Sequence, residues 1–591
     1  MAGFGFPILS ALIWIPVIAG IIILFIPATM RDMYRGVAIT AAFVILALSG
    51  MVFFGYNGLV IDQLNDAVDD GLVDADATEY DAFYIQNEEI TAELEGVTDA
   101  TVAFKESLVF EEYIEWVPEV GIAYNLGVDG LTAPMVLLTG MVSVAGVFIS
   151  WRIYDRQREF LAFFMLLVAG VMGVFISVDL FLLFFFYELA IFPMYILIAG
   201  WGWIELREYA AMKLTLYILV GSVVSLVGAI AMVFQASQFF ESPEGLIILA
   251  SAIEGGLLPE TATSLSFNIT QITLAAENGA FTVPLFGTTF AQFWFPFVFL
   301  GFAVMAGVFP FHNWSPDGHV AAPTAVSMIH AGVLMKLGAF AALRVGVQLL
   351  PSGAVVHLPW IVFLTLINVV YGAFIAFRQR DFKYVIGFSS VSHMGLVSMG
   401  FATMNLTGLT GAGLQMFSHG AMTALFFGCV GMVYDRAHTR DIPSLGGFMK
   451  KMPWVGFAFI VGGLTSMGMP GLSGFVAEFP IFQGMWEASG DVTLQIGAFT
   501  LSNYYTWIVI VSALGIVITA AYVLRVTGAV FFGEFDAEKY PDVGDITVTD
   551  RVVLIILGVP LIVLGMYPAI MAPMISVGVY PVQQLLNLMG A

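Results

Sequence analysis

Long apolar stretches, separated by short polar ones, dominate the pattern of the chain. A helix needs about 20 consecutive apolar residues to cross a bilayer. The sequence therefore predicts an all-α polytopic membrane protein with about 14 transmembrane helices. The approximate cores of the predicted spans are 7–27, 37–59, 131–150, 160–178, 180–200, 209–235, 291–311, 320–346, 355–377, 385–403, 408–434, 454–483, 499–533 and 551–572.

Two of the predicted spans are interrupted by proline and glycine. The seventh ends in residues 309–312 and runs into a predicted polar turn over 313–319, whereas the twelfth contains the run 468–474, GMPGLSG. Broken helices in matching places are typical of transporters built from repeats. Spans 4–8 and 9–13 each form a five-helix unit with its break in the fourth helix. Because five is odd, we predict two inverted five-helix repeats.

The distribution of Lys and Arg predicts the orientation of these spans. Loops after odd-numbered spans hold fourteen of these residues, whereas loops after even-numbered spans hold only Lys105 and Arg344. Loops rich in Lys and Arg stay in the cytoplasm. We therefore expect both termini on the extracytoplasmic side. The first span lacks a basic segment before it, so we interpret it as a retained helix and not as a signal peptide.

Composition and charge narrow the class further. The 591 residues are 59% hydrophobic and 11% charged, which excludes a soluble enzyme. The single Cys429 excludes a disulfide framework and thiolate-ligated iron–sulfur centres. The net charge is −24, and no basic face is present that would indicate a nucleic-acid partner.

The negative charge is concentrated in one segment. Residues 61–120 contain 18 acidic residues and one basic residue. We interpret this segment as a peripheral extracytoplasmic insertion; a cation-collecting antechamber and an adaptation to a salty exterior remain alternatives. The predicted domains are two N-terminal spans (1–60), the acidic insertion (61–125), a core (126–535) and a C-terminal span with its tail (551–591). Within the core lie repeats at about 160–346 and 355–533 and an extracytoplasmic loop at 237–290.

Ionisable residues inside the predicted spans are the candidate functional groups. A charge at the bilayer centre costs about 2.5–3.5 kcal/mol on insertion scales, so such residues tend to mark ion or proton paths. Imidazoles titrate near neutral pH and can join such a path. The candidate proton-path residues are Glu188, Lys213, Lys336, Glu478, His312, His319, His330, His393 and His419.

Several of these candidates have a simpler interpretation. Lys213 lies near a span end, where its side chain can extend to the membrane surface. His419 can hydrogen-bond a neighbouring backbone, and His393 can join a structural network with nearby serines. His312 and His319 are seven residues apart with Asp317 between them, which could in principle bind a metal, but we predict no metal site. No haem, dinucleotide or phosphate-binding motif is recognisable.

Several long runs resemble the antiporter-like subunits of respiratory complex I, the proton-translocating NADH–quinone oxidoreductase. They are PFHNWSPDGHVAAPTAVSMIHAGVLMKLGAF at 310–340, DFKYVIGFSSVSHMG at 381–395, QMFSHGAMTALFFGCVGMVYDRAHTRDIPSLGG at 415–447 and GMPGLSGFVAEFP at 468–480. The resemblance covers about 124–535. Within this family, the short tail after the last predicted span favours the subunit M (chain 4) branch over the subunit L branch.

The resemblance implies a proton path through a glutamate, two lysines and a second glutamate. By position, Glu188, Lys336 and Glu478 match three of these, but Met305 stands where the family usually has the seventh-helix lysine. Methionine cannot carry a proton. Lys213 or the histidines 312, 319 and 330 could replace it, or pumping could be impaired.

The resemblance also implies a function. We expect a non-redox, proton-translocating subunit in a bacterial cytoplasmic (inner) membrane, surrounded by lipid and other membrane subunits. This chain would hold no cofactor, since NAD, FMN, iron–sulfur clusters and quinone would be bound by partner subunits. A subunit of a multisubunit Na⁺/H⁺ antiporter and a scaffold that only assembles its complex are the alternatives.

Overall fold

The computed structural model describes residues 5–69, 99–496, 499–541 and 543–590. Within these ranges, twelve continuous helices are long and apolar enough to cross a membrane. They are spans 1–6, 8–11, 13 and 14, in chain order Ile8–Phe25, Arg31–Ile61, Thr132–Arg152, Gln157–Ile176, Leu180–Trp201, Arg207–Phe240, Thr324–Val347, Pro351–Arg378, Phe382–Ala402, Leu406–Ala437, Tyr504–Phe531 and Val548–Met566.

The seventh and twelfth spans are each built from two short helices. The seventh consists of Phe290–Ala306 and Trp314–Ala321, and the twelfth of Pro453–Ser466 and Ser473–Glu487. The predicted all-α membrane fold, with two inverted five-helix repeats and broken helices 7 and 12, is confirmed.

The eighth and eleventh spans form the centre of the molecule. Every residue in the most apolar stretch of each of these helices is buried, whereas only 33% of the corresponding stretch of the thirteenth span is buried. Small residues let the two central helices approach, since a Cβ added at Gly420 would lie 2.5 Å from the carbonyl oxygen of Gly332. Ionisable groups on these two helices are therefore shielded from lipid by the surrounding spans.

The break in the seventh span is stabilised by the ninth. The first half-helix ends at Gly307, which has a φ of +77°, a conformation that favours glycine. The Asn368 side chain donates to the carbonyl of Gly307 at 2.7 Å and accepts from the amide of Phe309. Backbone groups freed inside a membrane must find such partners.

The segment after this break differs from its prediction. Residues 313–319 were predicted to form a polar turn, which is wrong, because Trp314–Ala321 is helical. Pro316 lies in the first turn of this helix, where proline removes no intrahelical hydrogen bond. The Trp314 indole N–H donates to the carbonyl of Val304 at 2.8 Å and joins the two halves. His319 is consequently held on a buried helix.

The two membrane faces differ in charge. Loops after odd-numbered spans meet on one face, called here the basic face, where Arg152 contacts Asp435 and Asp550 at 3.2 Å each. The opposite face, called the acidic face, carries the helices Asp99–Ser107, Ile269–Glu277 and Ala572–Gly590. Glu277 joins the first two of these helices by accepting from the amides of Ala100 and Thr101 at 2.9 and 3.1 Å.

Part of the predicted acidic insertion, residues 70–98, lies outside the described residues. Its later part forms an antiparallel hairpin of Val109–Val117 and Ile122–Val128. In this hairpin, Glu112 accepts from the amides of Leu9 and Ser10 at 2.8 and 3.0 Å. A carboxylate at this position stabilises the N-terminus of the first span.

A buried ion pair connects the third and eighth spans near the acidic face. Asp129 precedes the third span and is 0% exposed, and it pairs with Arg344, which is 4% exposed. Arg344 also donates to Gln348 at 2.8 Å, and Gln348 donates to Thr273 at 3.1 Å. The ion pair and these hydrogen bonds therefore connect the eighth span with the helix Ile269–Glu277 on the acidic face.

We expect Arg344→Ala to lower the free energy of unfolding by about 3–5 kcal/mol, because it leaves the Asp129 carboxylate buried without its counter-ion. Arg551→Ala, which removes a partly exposed pair with Asp545, should cost at most about 1 kcal/mol. Thermal unfolding of the detergent-purified protein measures both. Equal losses of unfolding free energy in the two variants would show that the buried ion pair contributes no more to stability than the partly exposed pair.

Candidate functional site

Lys336 lies at the middle of the central eighth span and is 0% exposed. The preceding turn, His330–Leu334, is a π-helix. Such a segment shifts the hydrogen-bond register and is frequent at functional sites. The ammonium of Lys336 donates to the carbonyl of Ala331 at 2.5 Å, and none of the described carboxylates forms a salt bridge with it. The amine of Lys336 is thus buried with a backbone carbonyl as its hydrogen-bond partner.

Two histidines lie between Lys336 and the basic face. The rings of His319 and His330 have centroids 4.0 Å apart, and Trp314 stacks on His330 at 5.2 Å. Both imidazoles are 0% exposed, and their ring nitrogens have no hydrogen-bond partner among the described protein residues. Each neutral imidazole therefore has one N–H donor and one acceptor nitrogen without a partner among the described protein residues.

A second group of polar side chains lies on the other side of Lys336, in the second repeat. The rings of His419 and His393 have centroids 5.3 Å apart. Nδ1 of His393 is 3.1 Å from Oε1 of Glu478, and the amide of Gln415 donates to the same oxygen at 3.1 Å. Nε2 of His393 is 3.0 Å from the hydroxyl of Ser466. The Gln415 amide nitrogen also lies 3.3 Å from Nδ1 of His393, so the donor and acceptor roles of this ring depend on which nitrogen carries the proton.

The twelfth-span break gives Glu478 its place in this group. Gly468 has a φ of +65°, and a Cβ there would lie 3.0 Å from Oε2 of Glu478. Glycine is therefore required both by the backbone conformation and by the approach of the carboxylate. Glu478 itself is 2% exposed.

Together these side chains form a buried chain of ionisable groups, called here the central row. Lys336 lies near enough to His319, His330 and His419 for charges on these groups to influence one another. The members of the central row, in order from the first repeat to the second, are His319, His330, Lys336, His419, His393 and Glu478. The structure thus brings six of the nine sequence-predicted residues together.

The remaining three candidates lie outside the central row. Glu188 is half-buried on the fifth span and accepts from the hydroxyl of Ser222. Lys213 pairs with Asp317 at 2.7 Å instead of approaching Glu188 as an ion pair. His312 lies in the seventh-span break, with its ring centroid 5.7 Å from those of both Phe309 and Tyr371.

Met305 fills the position at which the resemblance implied a lysine. It is 0% exposed, and a Cβ added at Gly338 would lie 2.8 Å from its Cβ. Gly338 follows Lys336 by two residues on the eighth span. A thioether therefore packs against the helix that carries the central lysine.

Sequence reasoning missed Lys383, Gln415 and Ser222. Lys383 was counted as a loop charge, although its residue is 5% exposed and its ammonium donates to the carbonyl of Ala322 at 2.8 Å. Its position as the second residue of the helix Phe382–Ala402, directly after the cap Asp381, does not by itself distinguish a buried lysine from an exposed one. Among the described residues, no group of three or more His, Cys, Asp or Glu is arranged to hold a metal ion.

Inverted repeats with broken helices and a buried row of titratable side chains define the class as a membrane ion or proton transporter unit. The family described as NADH:quinone oxidoreductase/Mrp antiporter, transmembrane, matches residues 177–503. This chain belongs to that family.

Relatives and solved structures agree with this assignment. NAD(P)H-quinone oxidoreductase chain 4 2 of Thermosynechococcus vestitus is 32% identical over 461 residues, 78% of each chain. NADH-quinone oxidoreductase subunit M of Rhodobacter capsulatus is 33% identical over 472 residues, 79% of this chain and 83% of the relative.

Two solved complexes contain chains with the same fold. A chain of respiratory complex I from Thermus thermophilus with bound NADH matches with a TM-score of 0.72 and 21% identity, covering 99% of this chain and 100% of that one. A chain of the Mrp complex from Dietzia sp. matches with a TM-score of 0.65 and 18% identity, covering 94% of this chain and 99% of that one.

The contact of Lys213 with Asp317 can be tested by double-mutant cycles. Lys213→Met and Asp317→Asn should be non-additive, with a coupling of about 0.5–1 kcal/mol in the free energy of unfolding, because the side chains touch. Lys213→Met and Glu188→Gln should be additive. Thermal unfolding in detergent provides the values. Coupling with Glu188 and none with Asp317 would contradict the observed pairing.

Proposed function

We propose that this chain is the proton-translocating, subunit M-type membrane subunit of a complex I-type NADH–quinone oxidoreductase. The observation that carries the proposal is the central row, because buried imidazoles, a lysine and a carboxylate in sequence are the groups that relay protons through membranes. The relatives named chain 4 and subunit M support the assignment. Proton movement through the row would be coupled to electron transfer in partner subunits.

Lys336 is the proposed switch of the central row. Its ammonium is held by a single backbone carbonyl, so a small change in local electrostatics decides whether it keeps its proton. A proton released by Lys336 passes to His419 and then to His393. His393 delivers it to Glu478, which lies within hydrogen-bond distance. Gln415 donates to Glu478 and keeps the carboxylate oriented toward the histidine.

Glu188 is the proposed point of contact with a neighbouring membrane subunit. Its helix exposes an aromatic stripe at Phe181, Phe185, Phe192 and Tyr195, and Glu188 falls on the same side of the helix. A carboxylate left facing lipid would be costly. A neighbouring subunit that covers this stripe would remove the cost and place its own charges near Glu188.

The remaining assignments follow from the same proposal. The basic face is cytoplasmic and both termini are extracytoplasmic, in a bacterial cytoplasmic membrane. The chain itself carries out no redox chemistry; NAD, FMN, iron–sulfur clusters and quinone are bound by other subunits. Residues 126–535 form the translocation core, with repeats at about 160–346 and 355–533, and 61–125 form a peripheral insertion.

We expect Lys336→Ala and Glu478→Ala to reduce NADH-driven proton pumping at least about tenfold, because each removes a group to which protons must bind. Pumping is measured in membrane vesicles that contain the whole complex, with subunit composition verified after purification. Lys450→Ala, an exposed lysine on the basic face, is the matched control and should pump normally. Wild-type pumping by both row variants would contradict the relay.

A second function, in a multisubunit Na⁺/H⁺ antiporter, is favoured by the match to the Mrp complex. An antiporter would acidify or alkalinise vesicles when a sodium gradient is imposed, without NADH. The proposed complex I-type subunit would require NADH oxidation. Subunits that co-purify with the tagged chain distinguish the two assemblies directly.

A further inference from the structure

Two arginines lie side by side where the ninth and thirteenth spans reach the basic face. Arg378 is the last residue of the ninth span, and Arg525 lies in the last two turns of the thirteenth. Arg525 contacts both chain neighbours of Arg378. It donates to the carbonyl of Gln379 at 2.9 Å, and its guanidinium lies 5.5 Å from the ring centre of Phe377. The two guanidinium groups are near enough for their charges to repel each other.

This arginine pair has no counter-ion among the described residues. Asp381, the carboxylate nearest to Arg378 along the chain, forms its salt bridge with Arg440 at 3.2 Å instead. Within the described part of the chain, neither Arg378 nor Arg525 forms a salt bridge with any carboxylate. Two adjacent cations without an anion are unfavourable, and more so at the edge of a membrane than in water. An anion from outside the chain would remove this repulsion.

The surface around the arginine pair is apolar. The ninth span exposes Phe374 and Phe377, and the thirteenth span exposes Leu524. Phe374 stands one helical turn before Arg378, so these two side chains lie on the same side of the helix. Both spans are apolar and long enough to cross a membrane. A ligand that fits this surface combines an anionic group with apolar chains, which is the composition of an anionic lipid.

We propose that Arg378 and Arg525 bind the phosphate group of an anionic phospholipid, whose acyl chains lie against Phe374 and Leu524. Guanidinium groups form paired, charge-assisted hydrogen bonds to phosphate oxygens. A phosphate between the two arginines replaces one repulsion by two attractions. The bound lipid connects the ends of the ninth and thirteenth spans on the basic face. The inference does not depend on proton transfer through the central row.

A purely local role is the competing explanation for both arginines. Basic residues near a helix C-terminus interact favourably with the helix dipole, and long basic side chains extend to the membrane surface. Arg525 also connects the two spans through the carbonyl of Gln379. Arg378 is the informative position, because it is exposed and its substitution removes no salt bridge to another described residue.

The test uses the detergent-purified full chain and follows its thermal unfolding midpoint while phosphatidylglycerol is titrated into neutral detergent micelles. A ligand that binds only the folded protein raises this midpoint, so the titration gives an apparent affinity. We expect Arg378→Gln to weaken the apparent affinity about fivefold, which corresponds to about 1 kcal/mol for one basic residue near an anionic lipid. Arg378→Lys keeps the charge and should weaken the affinity less, whereas Arg378→Glu should weaken it more.

Arg380→Gln is the matched control. It removes a positive charge from an exposed side chain two residues further along the chain, where Arg380 faces Asp441 at 3.6 Å. Its affinity for phosphatidylglycerol should stay close to that of the wild type. Phosphatidylcholine, which has a phosphate but no net charge, should raise the unfolding midpoint less, and its effect should not change in Arg378→Gln.

Each outcome decides the inference. Wild-type affinity in Arg378→Gln would overturn it, and so would equal weakening in Arg378→Gln and Arg380→Gln, which would indicate a general effect of surface charge. If inorganic phosphate alone produced the same Arg378-dependent shift, the site would bind a free anion and the lipid assignment would be wrong. Pumping by Lys336→Ala tests the proposed function separately, because lipid affinity does not report on proton transfer.

Discussion

The ionisable side chains of the central row can exist inside the membrane because other helices surround them. A charge at the bilayer centre costs several kcal/mol unless it is shielded or partnered. The eighth and eleventh spans provide this shielding, since every residue in the most apolar stretch of each helix is buried. The other helices of the core surround these two spans and separate Lys336 and the neighbouring imidazoles from lipid.

The breaks in the seventh and twelfth spans place polar backbone groups inside the protein core. A continuous helix uses all of its backbone groups internally, whereas a break exposes carbonyls and amides that need partners. In the seventh span Asn368 fills this role. In the twelfth span the positive φ of Gly468 and Gly471 turns the chain so that Glu478 meets His393 and Gln415. Asn368 thus joins the seventh-span break to the second repeat, whereas the twelfth-span break brings together polar groups of its own repeat.

The sequence predicts well the features that depend on neighbours along the chain. The spans, the positions of both breaks and the burial of Lys336 and Glu478 follow from local apolar runs and from glycine and proline. The pairing of Lys213 with Asp317 and the burial of Lys383 do not follow from such local patterns. Both depend on contacts between elements more than 50 residues apart. A lysine at the start of a span has the same local pattern whether it faces water or a neighbouring helix.

Met305 bears on the proposed function because methionine cannot carry a proton. The resemblance to the family implies a lysine at this position, which on the proposed function would interact with Glu188 and hold a proton near the central row. The seventh and eighth spans approach each other closely at Gly338, where an added Cβ would lie 2.8 Å from the Cβ of Met305. In the proposed function, Glu188 responds to charges on the exposed side of the fifth span, and the histidines of the central row exchange protons with Lys336. On this proposal, energy coupling and proton transfer act on Lys336 from different directions, the first through the electric field and the second through the central row.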